Sequence, residues 1–204
     1  MARVIFLGTS GDMSTTSKQL RSSGGIILQV EDLQFHFDPG PGALVQASKC
    51  GVNLRNNTAL LVTHNHINHC NDINAVIDTM TYSGMERRGV LLASKSVVHN
   101  TDNSHPYLTR HHQKLVEKLI VMGKDSKVGV DLVEVHSLPV EHSDEYAIGF
   151  KLFCPKFVLS YTGDTTYNEQ LVEQLAGTDI LIFNVPYSGK NGRGLNLDID
   201  SVIK

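Results

Sequence analysis

The sequence predicts an α/β fold built as one domain over residues 1–204, and three observations carry that reading. Short apolar runs of strand length crowd the first half, later runs alternate with stretches of helical periodicity, and the residues able to do chemistry fall in loops at strand ends. A chain of 204 residues is long enough for one well-packed core and too short for two large ones. With 41% hydrophobic and 19% charged residues, the composition is that of an ordinary globular protein. The formal charge of −3 exerts no global pull on nucleic acid or an anionic membrane, so a polyanionic substrate would need a local site.

The elements follow in order. Val4-Ile5-Phe6-Leu7 reads as a buried strand ended by the Gly8-Thr9-Ser10-Gly11 loop. Gly24 to Val30 and Leu33 to Phe37, separated by Glu31-Asp32, read as a hairpin. Asp38-Pro39-Gly40-Pro41-Gly42 turns the chain into a short helix from Ala43 to Ser48. Thr58 to Val62 is a buried strand that delivers a histidine cluster at its end. Asn71 to Met80, with Ile73, Val76, Ile77 and Met80 in helical register, is an amphipathic helix. Val90 to Ala93 is a strand, and His111 to Val121, with Leu115, Leu119 and Ile120, reads as a helix. Val130 to Leu138, Ala147 to Phe153 and Phe157 to Tyr161 read as strands. Glu169 to Leu175 reads as a helix, and Asp179 to Val185 as a last buried strand.

The apolar stretch near the N-terminus is too short for a signal-peptide core, and no segment approaches the roughly 20 apolar residues that span a bilayer. The sequence therefore reads as cytoplasmic, with no membrane partner. Cys50, Cys70 and Cys154 are odd in number and irregular in spacing, which argues against a disulfide framework and fits a reducing compartment. Cys70 can be a metal ligand beside His69, but a small buried thiol is the favoured reading.

His64, His66 and His69 lie within six residues, in a chain with ten histidines. On a loop after a buried strand, this spacing lets two or three imidazoles face one point, as a borderline-soft divalent ion requires. The bland alternative, a solvated polar loop, fits a lone histidine better than a cluster. The other histidines take the bland reading: His36 and His136 lie in alternating strands, and His99, His105, His111 and His112 in polar or helical surface segments. His105-Pro106-Tyr107 and Arg110-His111-His112 can line a phosphate site, although a solvated helix face is favoured.

The run Thr63-His64-Asn65-His66-Ile67-Asn68-His69 resembles the first motif of the metallo-β-lactamase fold superfamily, Thr-His-x-His-x-Asp-His. Val140-Glu141-His142-Ser143 resembles its histidine-bearing third motif, and Tyr161-Thr162-Gly163-Asp164-Thr165 the motif whose aspartate bridges two metals. Leu7-Gly8-Thr9, Ser22-Ser23-Gly24-Gly25 and Asp38-Pro39-Gly40-Pro41-Gly42 resemble the ribonuclease Z side of the superfamily. The resemblance implies an αβ/βα four-layer sandwich. It also implies a metal held by His64, His66 and His142, with Asp164 shared toward a second site that contains His69. Zinc is the expected ion, as one or two divalent cations, with manganese or iron as alternatives. Asp38 is placed behind the metal, steadying the histidine loop, and its equal alternative is a turn former before Pro39.

Two catalytic positions of the family are held here by Asn68 and Asn196. Asn68 stands where the family has aspartate, so it lacks a charge and cannot serve as a general base. Asn196, in Gly194-Leu195-Asn196-Leu197-Asp198, stands where the family has a histidine that protonates the leaving group. The sequence ends at Lys204, about one turn into a helix capped by Asp198, whereas relatives continue through a further strand with a last histidine ligand; the fold is thus expected to lack its C-terminal portion. The implied function is a hydrolase that uses a metal-activated water on a phosphodiester or related small ester. The rival is a non-catalytic metal-binding or scaffold protein with a degraded second metal site. Only residues 143–163 separate His142 from Asp164, leaving no room for the arm with which ribonuclease Z grips transfer RNA. A small or short phosphodiester is therefore the expected partner, long structured RNA is disfavoured, and a homodimer is possible.

Overall fold

Strand β1 (Ala2–Phe6) opens the chain at the edge of a sheet rather than in its middle, in the computed structural model, which describes residues 2–18, 20–186 and 196–203. The chain divides into two compact units, Met1–Val121 and Met122–Lys204.

In the first unit, β1 is followed by helix α1 (Met13–Ser17), the hairpin β2 (Ile26–Val30) and β3 (Leu33–Phe37), and α2 (Ala43–Lys49). Then come β4 (Ala59–Val62), α3 (Ile67–Cys70), α4 (Ile73–Thr81), β5 (Val90–Ser94), α5 (Lys95–Val98), α6 (Arg110–Gln113) and β6 (Lys118–Met122). The six strands pair in sequence order. β1, β2 and β3 are antiparallel neighbours, whereas β3, β4 and β5 run parallel. Phe35, Phe37, Leu60, Leu61, Val62, Leu91 and Leu92 are all at most 1% exposed. The unbroken apolar runs at Ala59–Val62 and residues 90–93 are what parallel strands covered on both faces require, whereas β3 carries Gln34 and His36 between its apolar residues.

α4 places Ile73, Val76, Ile77 and Met80 in the core, each fully buried and worth roughly 1.5–3 kcal/mol in transfer terms. It stops where Tyr82 and Ser83 take left-handed backbone, at φ 50° and 54°. α2 begins at Gly42, whose lack of a side chain is made good by Asp72: its carboxylate accepts from the Gly42 and Ala43 amides at 3.0 and 2.9 Å.

Two expectations for this unit are corrected. The run at residues 4–7 is not a buried strand, because β1 lies at the sheet edge with Phe6 47% exposed, and only Leu7, just past its end, is buried. The helix expected over 111–121 is a single turn, α6, capped by Thr109, whose hydroxyl accepts from the His112 amide. The chain then joins the sheet edge: the Glu117 and Lys118 amides donate to the Gly89 carbonyl, and the β-branched Ile120 and Val121 lie in β6.

The second unit contains β7 (Lys127–Val130), β8 (Val133–Pro139), β9 (Ile148–Cys154), β10 (Phe157–Tyr161), α7 (Glu169–Gln174), β11 (Ile180–Ile182) and α8 (Ile199–Ile203). Its sheet order is β11-β10-β9-β8-β7, antiparallel except for the β10–β11 pair. Val133, Val135, Phe150, Leu152 and Leu159 form its buried face. Val130 closes β7 instead of opening β8, since Asp131 at φ 53° makes the hairpin turn between them. The strand expected over 179–185 is shorter and is not buried: Ile180 and Leu181 are 38% and 41% exposed among the described residues. The Asp198 cap is present, with its carboxylate accepting from the Ser201 amide at 2.8 Å. Gly194 and Leu195 lie outside the described residues. No helix among the described residues is long and apolar enough to cross a membrane.

Candidate metal centre

The parallel register pairs Phe37 with Leu61, so β3 and β4 release their next residues side by side, at the carboxyl ends where open α/β sheets collect ligands. The Asp38 amide donates to the Leu61 carbonyl at 2.9 Å, and its side chain turns across to Thr63. Asp38 is 3% exposed and has φ 46°, a conformation that aspartate tolerates better than most residues. Its carboxylate accepts from the Thr63 amide at 2.8 Å, the Thr63 hydroxyl at 2.9 Å and His69 Nδ1 at 2.9 Å.

This relay sets a tautomer. The Thr63 hydroxyl has one proton and gives it to Asp38, so toward His64 Nδ1, at 2.9 Å, it accepts. His64 therefore carries its proton on Nδ1 and presents the Nε2 lone pair. That Nε2 lies 3.0 Å from His66 Nδ1, with the two rings nearly perpendicular at 84°. A tetrahedral zinc with bonds of about 2.0–2.1 Å separates its nitrogen ligands by roughly 3.3 Å, so a slight opening of this hydrogen-bonded pair would let both nitrogens face one ion. His69 stacks against His64 at 4.2 Å between ring centroids, and a histidine bonded to a carboxylate through Nδ1 ligates through Nε2.

Gly40 explains why this loop tolerates no bulk: a Cβ there would sit 2.0 Å from the Asn68 backbone carbonyl oxygen. Asn68 itself is half-buried in α3. Cys70 is fully buried, its thiol directed at the His66 carbonyl at 3.1 Å, as expected of a packing thiol.

In the second unit, β8 and β10 are each antiparallel to β9 and thus parallel to each other, and β11 runs parallel to β10. Their carboxyl ends therefore deliver His142, Asp164 and Asn184 to one side of the sheet. His142 Nε2 stands 3.8 Å from Asp164 Oδ2, with the side chains only 4% and 5% exposed. The other carboxylate oxygen of Asp164 accepts from Asn184 Nδ2 at 2.9 Å. Gly163, at φ 62°, supplies the left-handed turn that aims Asp164. The two loops are stitched together: the Glu141 amide donates to Thr165 Oγ1 at 3.1 Å and the Thr166 amide to the Glu141 carbonyl at 2.9 Å. Asn196 is half-buried, and its side-chain oxygen lacks a hydrogen-bond partner among the described residues.

Sequence reasoning overlooked Thr63 as a relay and Asn184 as a partner of Asp164. Thr63 was legible as a hydroxyl beside the first histidine, whereas Asn184 carried no signal, because its role depends on strand pairing distant in sequence.

The pattern of the β-lactamase superfamily domain matches residues 34–195 of the chain. The chain belongs to this superfamily. Within it, the chain is 30% identical over 182 residues to an uncharacterized protein of Methanocaldococcus jannaschii, covering 89% of this chain and 68% of that one. It is also 24% identical over 157 residues to the ribonuclease Z of Picrophilus torridus, covering 74% of this chain and 47% of the enzyme. In three dimensions this superfamily member is similar to a diphosphatase from the PhnP family, with a TM-score of 0.66 at 17% identity, over all of this chain and 81% of that one. The metallo-β-lactamase fold and the ribonuclease Z-like branch expected from the motifs are thus borne out.

Proposed function

We propose that the protein is a metal-dependent hydrolase acting on a compact phosphodiester, with His64, His66, His142 and Asp164 as donors to one divalent cation. The observation that carries this reading is the 3.0 Å convergence of His64 Nε2 and His66 Nδ1, fixed by the Asp38–Thr63 relay. Three imidazoles and one carboxylate form a donor set that suits zinc, and within the first unit the Asp38–Thr63 relay orients His64 before any ion binds. A second, weaker cation position is assigned to His69 and the shared Asp164.

When bound, the cation supplies Lewis acidity, making a water nucleophilic near neutral pH and offsetting negative charge on the phosphoryl oxygens. The chain's own residues supply position. Asp38 and Thr63 lock the imidazole tautomer, and Asn184 holds one oxygen of Asp164 so that the other is turned toward His142. Neither Asn68 nor Asn196 can take up or release a proton, so the favoured substrate has a leaving group that departs readily as an anion. Residues 143–163 hold β9 and β10 with no arm for a long RNA, and the similarity to a ribonuclease Z and to a diphosphatase supports a small phosphorus ester.

A panel of bis(p-nitrophenyl) phosphate, a thioester and a β-lactam at fixed zinc tests the reading. Phosphodiester turnover exceeding the other two is the expected result, and cleavage of the β-lactam alone would overturn it. The two asparagines favour one second reading, a metal-binding scaffold without turnover; in that case zinc binds and no member of the panel is cleaved.

A further inference from the structure

Asn65 sits between His64 and His66, and its side chain points away from both of them into the segment at residues 105–109. Its Nδ2 donates to the His105 carbonyl at 2.9 Å, and its Oδ1 accepts from the Tyr107 amide at 3.2 Å. Asn74, in the first turn of α4, repeats the arrangement two residues later. Its Nδ2 donates to the Tyr107 carbonyl at 2.8 Å, and its Oδ1 accepts from the Thr109 amide at 3.0 Å. Two carboxamides thus act as a substitute strand, satisfying alternate backbone groups of an otherwise irregular strap. Pro106 fixes one more dihedral, holding His105 extended, and Leu108, 2% exposed, anchors the strap in the core. On this immobilised backbone His105 and Tyr107 are exposed, Tyr107 by 43%.

Leu108 alone accounts for the packing of the strap, whereas the ordered backbone on either side of it carries the exposed side chains of His105 and Tyr107, and such order has an entropic cost. A pre-ordered rim, however, lowers the entropic cost of binding a ligand. We propose that the strap at residues 105–109 is a recognition rim for a phosphoester bearing a planar aromatic group. Tyr107 offers a ring face for stacking and His105 an imidazole donor for the phosphoryl oxygens. Asn65 and Asn74 are positioning residues, and Asn65 ties the rim to the backbone that carries the histidines. The inference deepens the phosphodiesterase reading and rests on it for the choice of a phosphorus ester.

The test is an NMR titration of the zinc-loaded full chain with phenyl phosphate and, separately, methyl phosphate, on wild type, Tyr107→Ala and Asn74→Ala. Phenyl phosphate is expected to shift the amides of residues 105–109 and the histidine loop. Its dissociation constant should rise about tenfold in Tyr107→Ala, as the loss of one stacking contact implies, and should also rise in Asn74→Ala, where the backbone that holds the ring is released, with zinc content unchanged. Equal affinity for the methyl and phenyl esters, unaltered affinity in both variants, shifts away from the strap or no binding to wild type would each overturn the proposal. Zinc loss in Asn74→Ala would also overturn it, by showing that the strap shapes the metal centre itself. If phenyl phosphate binds on the strap while bis(p-nitrophenyl) phosphate is not cleaved, the hydrolase reading falls and the rim stands.

Discussion

Asp38 Oδ2 lies 2.9 Å from His69 Nδ1, both side chains being at most 8% exposed, and the same carboxylate holds both polar groups of Thr63. One buried anion therefore governs two of the three histidines in the loop, His69 directly and His64 through the Thr63 hydroxyl.

Replacing that anion removes one acceptor from three buried donors. Asp38→Ala is expected to cost about 2–4 kcal/mol of stability, since unsatisfied buried donors carry their full desolvation penalty. It should also weaken zinc binding roughly 10–100-fold, the usual effect of losing a partner behind a ligand. Urea unfolding and a competition titration with a chelator read the two effects separately. A variant that unfolds and binds zinc as wild type does would show that Asp38 is only a turn former.

His36 provides a pH signature independent of the metal. Its ring is fully buried in β3, burial lowers its pKa to about 4, and the Gly24 carbonyl that accepts from Nε2 at 2.8 Å only partly opposes the shift. The unfolded chain takes up this proton near pH 6.5 and the folded chain only near pH 4, so stability falls as pH drops through that window. The expected loss from pH 7.5 to pH 5 is about 2 kcal/mol. Denaturant unfolding of metal-free protein should show that slope in wild type and a shallower one in His36→Gln. Identical slopes would remove His36 from the account.

Much of this centre is readable from the chain itself. His64, His66 and His69 sit at the end of a fully apolar strand, so local pattern brings them together, and His142 and Asp164 follow two strands of the second unit that run the same way, so strand direction brings that pair together. Thr63 was visible as a hydroxyl beside His64, but its bond to Asp38, like the Asn184 contact, depends on which strands become neighbours. The same limit explains the elements that differ. Residues 111–121 have helical spacing but contribute to a sheet edge, and Ile180 and Leu181 are apolar yet exposed. Periodicity reports side-chain pattern, while pairing partners and edges are fixed by the whole sheet.

Asn184 should act on metal binding through Asp164. In Asn184→Ala one carboxylate oxygen loses its donor, and zinc affinity is expected to fall about tenfold, with stability changed by no more than about 1 kcal/mol. Isothermal titration with zinc on both proteins measures it; unchanged affinity would make the contact incidental.

Asn68→Asp alters little volume and places an anion in the loop that carries three histidines. Opposite charges a few ångströms apart attract strongly in a partly desolvated site, so occupancy of the second cation position should rise. Phosphodiesterase turnover should rise with it, by up to roughly 10²–10⁴-fold for a positioned base, with Asn196 limiting the gain. More metal without more turnover would favour the scaffold reading, and neither change would place Asn68 outside the centre.

The central claim is that His64, His66, His142 and Asp164 bind one ion. Elemental analysis of the purified wild type and His66→Ala, after dialysis against zinc and then buffer, tests it most directly. The account predicts at least one tightly held zinc per wild-type chain and a large loss in the variant; equal metal in the two proteins would contradict it.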